Sequence, residues 1–179
     1  EATSFVGRAR ALADLHALIA DRPLLTLTGP GGTGKTRLAL RFASDALERF
    51  PDGVFFVDLA PLSEPAGVSS TAVAALGLRE EPGRAPDDTV VDFLRRRSVL
   101  CVLDNCEHVL DAAAALAAAI LRTCPAARVL ATSRELLGVP GEAIYAVPPL
   151  AVPDLSARTA DPDRLLQNDA VRLFVDRAA

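Results

Sequence analysis

The chain has 179 residues and a mass of 18.8 kDa, the size of one domain with one sizeable core. Half of its residues are apolar and 23% are charged, which excludes a disordered tail or a low-complexity chain, and the longest apolar run, residues 112–121, is well short of the roughly 18 that span a bilayer. A formal charge of −4 and a pI near 5.2 provide no net positive field to gather a phosphate backbone, so this segment is expected to contact neither DNA nor a membrane.

In chain order, Leu12, Leu15, Leu18 and Ile19 recur at helical spacing between Arg8 and Ala20, and Pro23 closes that segment. Leu24 to Thr28 is short, apolar and β-favouring, Gly29 to Gly34 is glycine-rich, and Thr36 to Phe50 returns to a helical period. Val54 to Asp58 predicts a buried strand, Val68 to Leu76 a helix, and Asp87 to Arg97 another helix capped by its aspartates. Val99 to Leu103 is a continuous apolar strand, and an alanine-rich helix over Val109 to Leu121 stops near Pro125. Strands follow at Arg128 to Thr132 and Ala143 to Val147. Five strands alternating with helices predict a parallel sheet covered on both faces, a three-layer α/β/α sandwich. Four prolines from Pro148 to Pro162 mark a linker, and Asn168 to Ala178 is helical again. The expected division is an N-terminal helix at 1–22, a core at 23–147, and at 148–179 a linker with the first helix of a truncated helical subdomain.

Cys101, Cys106 and Cys124 are an odd number without a signal-peptide pattern, which argues against a disulfide framework and for the reducing cytoplasm. The chain has no methionine and opens on Glu1, so it reads as a piece of a longer polypeptide. Of its 19 basic residues 18 are arginine, and the single lysine, Lys35, stands where arginine does not serve.

Gly29-Pro30-Gly31-Gly32-Thr33-Gly34-Lys35-Thr36 has the form G-x-x-x-x-G-K-[ST] of a phosphate-binding loop, between a predicted strand and a predicted helix. A chance match in this composition is on the order of a few in ten thousand. Glycines let backbone N–H groups turn inward as an anion nest, and the following helix N-terminus adds partial positive charge. Lys35 then reaches the β- and γ-phosphates, Thr36 is placed to ligate Mg²⁺, and Gly29, Gly31, Gly32, Thr33, Gly34 and Arg37 complete the expected nucleotide-binding set. Asp104 ends the apolar strand beginning at Val99 in the manner of a Walker B acid, the second metal ligand. Asn105 follows it where many hydrolysing proteins carry a carboxylate, and an amide orients water but is a poor base.

Glu107 is the nearest alternative base, although a place in the first turn of the next helix would equally account for it. Cys106 and His108 lack a metal-ligand pattern and are expected to be structural. Arg134 ends another strand on the same sheet edge and is placed to sense a γ-phosphate, the alternative being a surface pair with Glu135. Arg95, Arg96 and Arg97 complement a helix C-terminus, and His16 reads as an ordinary half-exposed residue.

The order Phe5-Val6-Gly7-Arg8, the loop at 29–36, Val57-Asp58-Leu59, Leu103-Asp104-Asn105-Cys106-Glu107-His108, Ala131-Thr132-Ser133-Arg134-Glu135 and Ala170-Val171-Arg172-Leu173-Phe174 resembles the nucleotide-binding core of STAND ATPases, the NB-ARC or AP-ATPase group. Within it the chain is most similar to bacterial regulators of the Streptomyces antibiotic regulatory protein type and to large ATP-binding LuxR-type regulators. The resemblance implies that Val6, Gly7 and Arg8 lie by the adenine and ribose, that Asp104 is the Walker B acid, and that Arg134 is the sensor arginine. Asn105 departs from the second aspartate of the eukaryotic members. The resemblance also implies partners within one polypeptide, namely a helical lid, a winged helix, sensor repeats and a DNA-binding domain, and self-association on ATP binding. The expected function is a molecular switch that binds ATP or ADP with Mg²⁺ and hydrolyses slowly, with catalysis resting on Lys35, Asp104, Asn105, Glu107 and Arg134. A non-hydrolysing scaffold and a small-molecule kinase are the alternatives. A GTPase is disfavoured, since its guanine motif needs a second lysine.

Overall fold

The computed structural model describes residues 7–150, 152 and 167–178. Its helices are α1 (Ala9–Asp21), α2 (Lys35–Asp45), α3 (Val68–Ala75), α4 (Pro86–Leu94), α5 (Leu110–Thr123) and α6 (Asp169–Ala178). Its strands are β1 (Leu24–Thr28), β2 (Val54–Asp58), β3 (Leu100–Asp104), β4 (Arg128–Thr132) and β5 (Glu142–Ala146). All pair in parallel, in the order β2-β3-β4-β1-β5. The expected parallel α/β sandwich is therefore the fold. The strand order adds what the sequence did not reveal: β4 lies between β1 and β3, so its carboxyl end separates the glycine-rich loop from Asp104.

Strand side chains alternate between two cores, as a pleat of period two requires. Leu25, Leu27, Leu100, Val102 and Leu130 pack on one face with Leu15 and Ile19 of α1 and Leu38 and Phe42 of α2. Leu24, Cys101, Leu103, Val129 and Ala131 pack on the other with Val73 of α3, Leu94 of α4 and Leu116 and Ile120 of α5. Each fully buried leucine contributes about 2 kcal/mol, and Leu24, Leu25 and Leu27 of β1 are all inaccessible. The strand carrying the loop is thus anchored from both sides.

Several boundaries differ from expectation. The helix predicted to run to Phe50 ends at Asp45 and tightens into a 3-10 turn, Leu47–Arg49, which delivers Phe50 into the core at 4% exposure. The helix predicted over 87–97 starts at Pro86 and stops at Leu94. It has no aspartate cap: Ala85 holds the cap position, and the Asp87 carboxylate accepts the Ser69 hydroxyl of α3. Beyond its end Arg95 pairs with Asp92 at 2.9 Å, and the Arg97 guanidinium lies 4.0 Å from the centre of the Phe93 ring.

No helix among the described residues is long and apolar enough to cross a membrane. Cys101, Cys106 and Cys124 are free and buried, and burial pushes the Cys101 and Cys106 thiols up to about 12. Val6, most of the proline-rich stretch and the chain ends lie outside the described residues.

Candidate phosphate-binding site

Because all strands are parallel, the ends of β1, β3 and β4 emerge on one sheet edge, and the predicted residues meet there. Gly32 and Gly34 have φ of 82° and 85°. A Cβ at either would meet nothing within 4 Å, so backbone conformation and not space calls for glycine. α2 begins at Lys35 with Gly34 as its cap and no side-chain capping bond, which leaves its first amides pointing at the loop. Lys35 is 9% exposed, and its Nζ donates to the carbonyls of Gly29 at 2.7 Å and Pro30 at 3.1 Å. The ammonium is held across the loop it would serve. Arg37 lies half-buried in the same first turn.

Asp104 closes β3 at 4% exposure, with its carboxylate in a network of hydroxyls. Thr36 Oγ1 donates to it at 2.9 Å from Oδ1 and 3.0 Å from Oδ2, and Thr132 Oγ1 donates to Oδ1 at 2.6 Å. Thr132 in turn accepts the Asn105 N–H at 2.9 Å. A buried carboxylate needs such donors. The Thr36 hydroxyl and the Asp104 carboxylate, adjacent at the foot of the loop, are the hard oxygen donors that suit Mg²⁺ beside a phosphate. These residues fit that cation. Among the described residues no cluster of three or more His, Cys, Asp and Glu side chains could hold a metal otherwise.

Asn105 is the one described non-glycine residue with positive φ, at 66°. Its left-handed turn breaks β3 and starts the 3-10 turn Cys106–His108. In that turn Cys106 Sγ bonds the Leu103 carbonyl and His108 Nε2 bonds the Leu59 carbonyl at 2.9 Å, both structural as expected. Glu107 faces the site. Its Oε1 lies 3.0 Å from Arg134 Nε, so Arg134 pairs with Glu107 and not with Glu135, the neighbour named in the alternative reading. After β4 the Ser133 N–H donates to the Leu27 carbonyl and its Oγ accepts the Glu135 N–H, a turn that projects Arg134 outward.

Arg8 also reaches the loop, while Gly7 lies against Asp169. Arg8 Nη2 donates to the Thr33 carbonyl at 2.9 Å and Nη1 to the Pro148 carbonyl at 2.6 Å, clamping the loop to the segment after β5. A side chain at Gly7 would overlap the Asp169 carboxylate, where α6 begins behind an Asn168 side-chain cap. The sequence therefore identified Lys35, Thr36, Asp104, Arg8 and Arg134 at one site. It missed Thr132, whose only sign was a hydroxyl residue ending a buried strand, and it gave no sign of the Pro148 and Asp169 contacts.

Residues 19–139 match a family model described as an AAA domain. A Mycobacterium tuberculosis protein provisionally named an HTH-type transcriptional regulator is 46% identical over 165 residues, 92% of this chain and 17% of its own length. An uncharacterized protein from the same species is 44% identical over 98% of this chain and 41% of its own length. The regulatory protein AfsR of Streptomyces griseus is 32% identical over 73% of this chain and 14% of its own. The chain thus spans less than half of each of these relatives. Among solved structures, Cdc6p from Pyrobaculum aerophilum superposes with a TM-score of 0.57 at 15% identity, covering 79% of this chain and 47% of that one. A STAND protein with a tetratricopeptide repeat sensor from Pyrococcus horikoshii gives 0.53 at 16% identity, covering 82% and 24%. At such identities these two structures speak for the fold alone.

Proposed function

The chain belongs to the AAA domain family, and on that premise we propose that it is the nucleotide-responsive switch of a longer transcriptional regulator, binding ATP or ADP with Mg²⁺ and hydrolysing ATP slowly. The observation that carries this reading is the convergence of Lys35, Thr36 and Asp104 at the foot of one glycine-rich loop. The loop amides and Lys35 would hold the phosphates. Thr36 and Asp104 would hold Mg²⁺, which when bound neutralises charge on the β- and γ-phosphates. Arg134 at the rim would distinguish a triphosphate from a diphosphate.

Slow turnover follows from Asn105. Its side-chain amide cannot accept a proton from water at neutral pH, and its backbone N–H is committed to Thr132. Output would then come from a shift between conformations, driven by differential contacts to the γ-phosphate. Arg8, which joins the loop to Pro148, and its neighbour Gly7, which lies against Asp169 of α6, offer a route from nucleotide to the following segment, read as the start of a helical lid. The names of the mycobacterial and Streptomyces relatives support a transcriptional regulator; its DNA-binding and sensor parts would be other domains, and it would act in the cytoplasm.

The test is to denature the purified protein, identify released nucleotide by chromatography, and follow ATP turnover with Mg²⁺ for wild type and Asp104→Ala. Bound ADP and a turnover below about one per minute, slow beside ordinary enzymes, are expected. Absence of bound nucleotide together with no binding of added ATP overturns the reading.

A further inference from the structure

We propose that Glu107 is a positioning residue for Arg134, a carboxylate that competes with the γ-phosphate for the same guanidinium and thereby sets the preference for ATP over ADP. This rests on the nucleotide-binding reading above.

β3 and β4 are parallel neighbours with Leu103 opposite Ala131, so Asp104 and Thr132 end them side by side, and Glu107 and Arg134 follow a few residues on. Arg134 Nε meets Glu107 Oε1 at 3.0 Å. The other end of the same planar group reaches the loop: Arg134 Nη2 lies 3.6 Å from the position a Cβ on Gly31 would take. One guanidinium therefore bridges a carboxylate and the phosphate loop.

The two partners are unequally held. The Glu107 side chain is 17% exposed and that of Arg134 is 64% exposed, so the carboxylate is the fixed member and the arginine the one free to re-aim. Glu107 Oε2 is buried and has no hydrogen-bond partner among the described residues. Arg134 supplies this carboxylate with an ion pair, so drawing the guanidinium away has a cost, kept modest by the exposure of the arginine.

A diphosphate leaves the pair intact. A triphosphate brings a second anion to the loop and draws the guanidinium toward it, which weakens its hold on Glu107. The work of separating the pair is then subtracted from ATP binding and not from ADP binding. Glu107 keeps the two nucleotides close in affinity, as a switch that must sample both states requires.

The experiment titrates wild type, Glu107→Gln, Glu107→Asp, Arg134→Ala and the double variant Glu107→Gln/Arg134→Ala with fluorescent ADP and a non-hydrolysable fluorescent ATP analogue in Mg²⁺, after thermal melts confirm folding. The amide of Glu107→Gln keeps the shape and removes the charge, so the ratio of ATP to ADP affinity is expected to rise about threefold to tenfold. Glu107→Asp, which withdraws the carboxylate by one methylene, is expected to raise it in the same direction and covers the case in which the amide variant does not fold. Arg134→Ala should lower the ratio, and the double variant should match Arg134→Ala, because Glu107 acts only through that side chain. A ratio unchanged or lowered in the Glu107 variants overturns the proposal, as does a further change in the double variant beyond Arg134→Ala. If wild type binds neither nucleotide, the switch reading fails and this one with it; binding of both with an unmoved ratio removes this one alone.

Discussion

Lys35, Asp104, Thr132 and Ser133 make the floor of the site with exposures of 9, 4, 1 and 0%, whereas at its rim the Arg134 side chain is 64% exposed and Arg8 is half-buried. On the floor every polar group is bonded within the protein, because water cannot supply the partner: Asp104 takes two hydroxyls, Thr132 passes one bond on to Asn105, and Lys35 spans two carbonyls. At the rim water competes for every bond, so Arg134 and Arg8 hold partners they can exchange. The floor is preorganised and the rim is adjustable. This division of labour suits a site that binds two similar ligands and responds differently to each.

The most severe way to break the floor is Lys35→Ala. Removing the ammonium deletes charge-assisted bonds to phosphate worth about 3 kcal/mol together, so nucleotide affinity should fall at least about 100-fold. Equilibrium titration with a fluorescent ATP analogue measures this, and a Kd within a few-fold of wild type would remove phosphate binding from the role of the loop.

Next comes Asp104. Asp104→Ala removes the carboxylate to which the Thr36 and Thr132 hydroxyls donate, at a cost of about 2 kcal/mol in unfolding free energy. It should also abolish the gain in nucleotide affinity that Mg²⁺ produces over a chelator. Asp104→Asn sharpens the point by separating the two roles: it keeps an acceptor oxygen and should recover most of the urea midpoint, but not the Mg²⁺ response. Loss of both in the amide variant would mean that the negative charge also serves the fold.

Thr132→Val is a smaller perturbation of the same floor. The shape is kept, and the donor to Asp104 and the acceptor for the Asn105 N–H are lost together, for an expected 1–2 kcal/mol, roughly, by denaturant unfolding. Slower exchange of the Asn105 amide in wild type than in the variant would tie that loss to this bond.

The sequence disclosed the floor and the rim unequally for the same physical reason. Lys35, Thr36 and the loop glycines are contiguous, and their spacing encodes one local conformation. Asp104 was legible because a carboxylate closing a wholly apolar strand is costly to bury and so marks a site at the sheet edge. Thr132 was not, since its role depends on β4 inserting between β1 and β3, and strand order is set by long-range packing that no local period carries. Arg134 was expected at this edge, with Glu135 offered only as the alternative surface partner by proximity in the chain, where proximity across the sheet selects Glu107. The helix end at Asp45 and the aspartate cap of α4 were misjudged because Phe50 and Asp87 serve tertiary contacts that helical periodicity does not register.

The finest test of the contrast is Arg134→Ala measured as stability, in the absence of nucleotide. An ion pair with one exposed member contributes modestly, so the unfolding free energy should fall by about 0.5 to 1 kcal/mol. For a chain of this size that is a shift in Tm of about 1 to 4 °C. Raising the salt concentration to about 0.5 M should shrink even this difference, because the exposed guanidinium is screened. A loss well above about 1 kcal/mol, insensitive to salt, would make Arg134 a floor residue in energetic character despite its exposure, the buried Glu107 carboxylate then depending on it as Thr36 and Thr132 depend on Asp104. A rim so firmly tied could not re-aim toward a γ-phosphate at modest cost. The switch would then have to act through the other rim contact, the Arg8 bridge between Thr33 and Pro148.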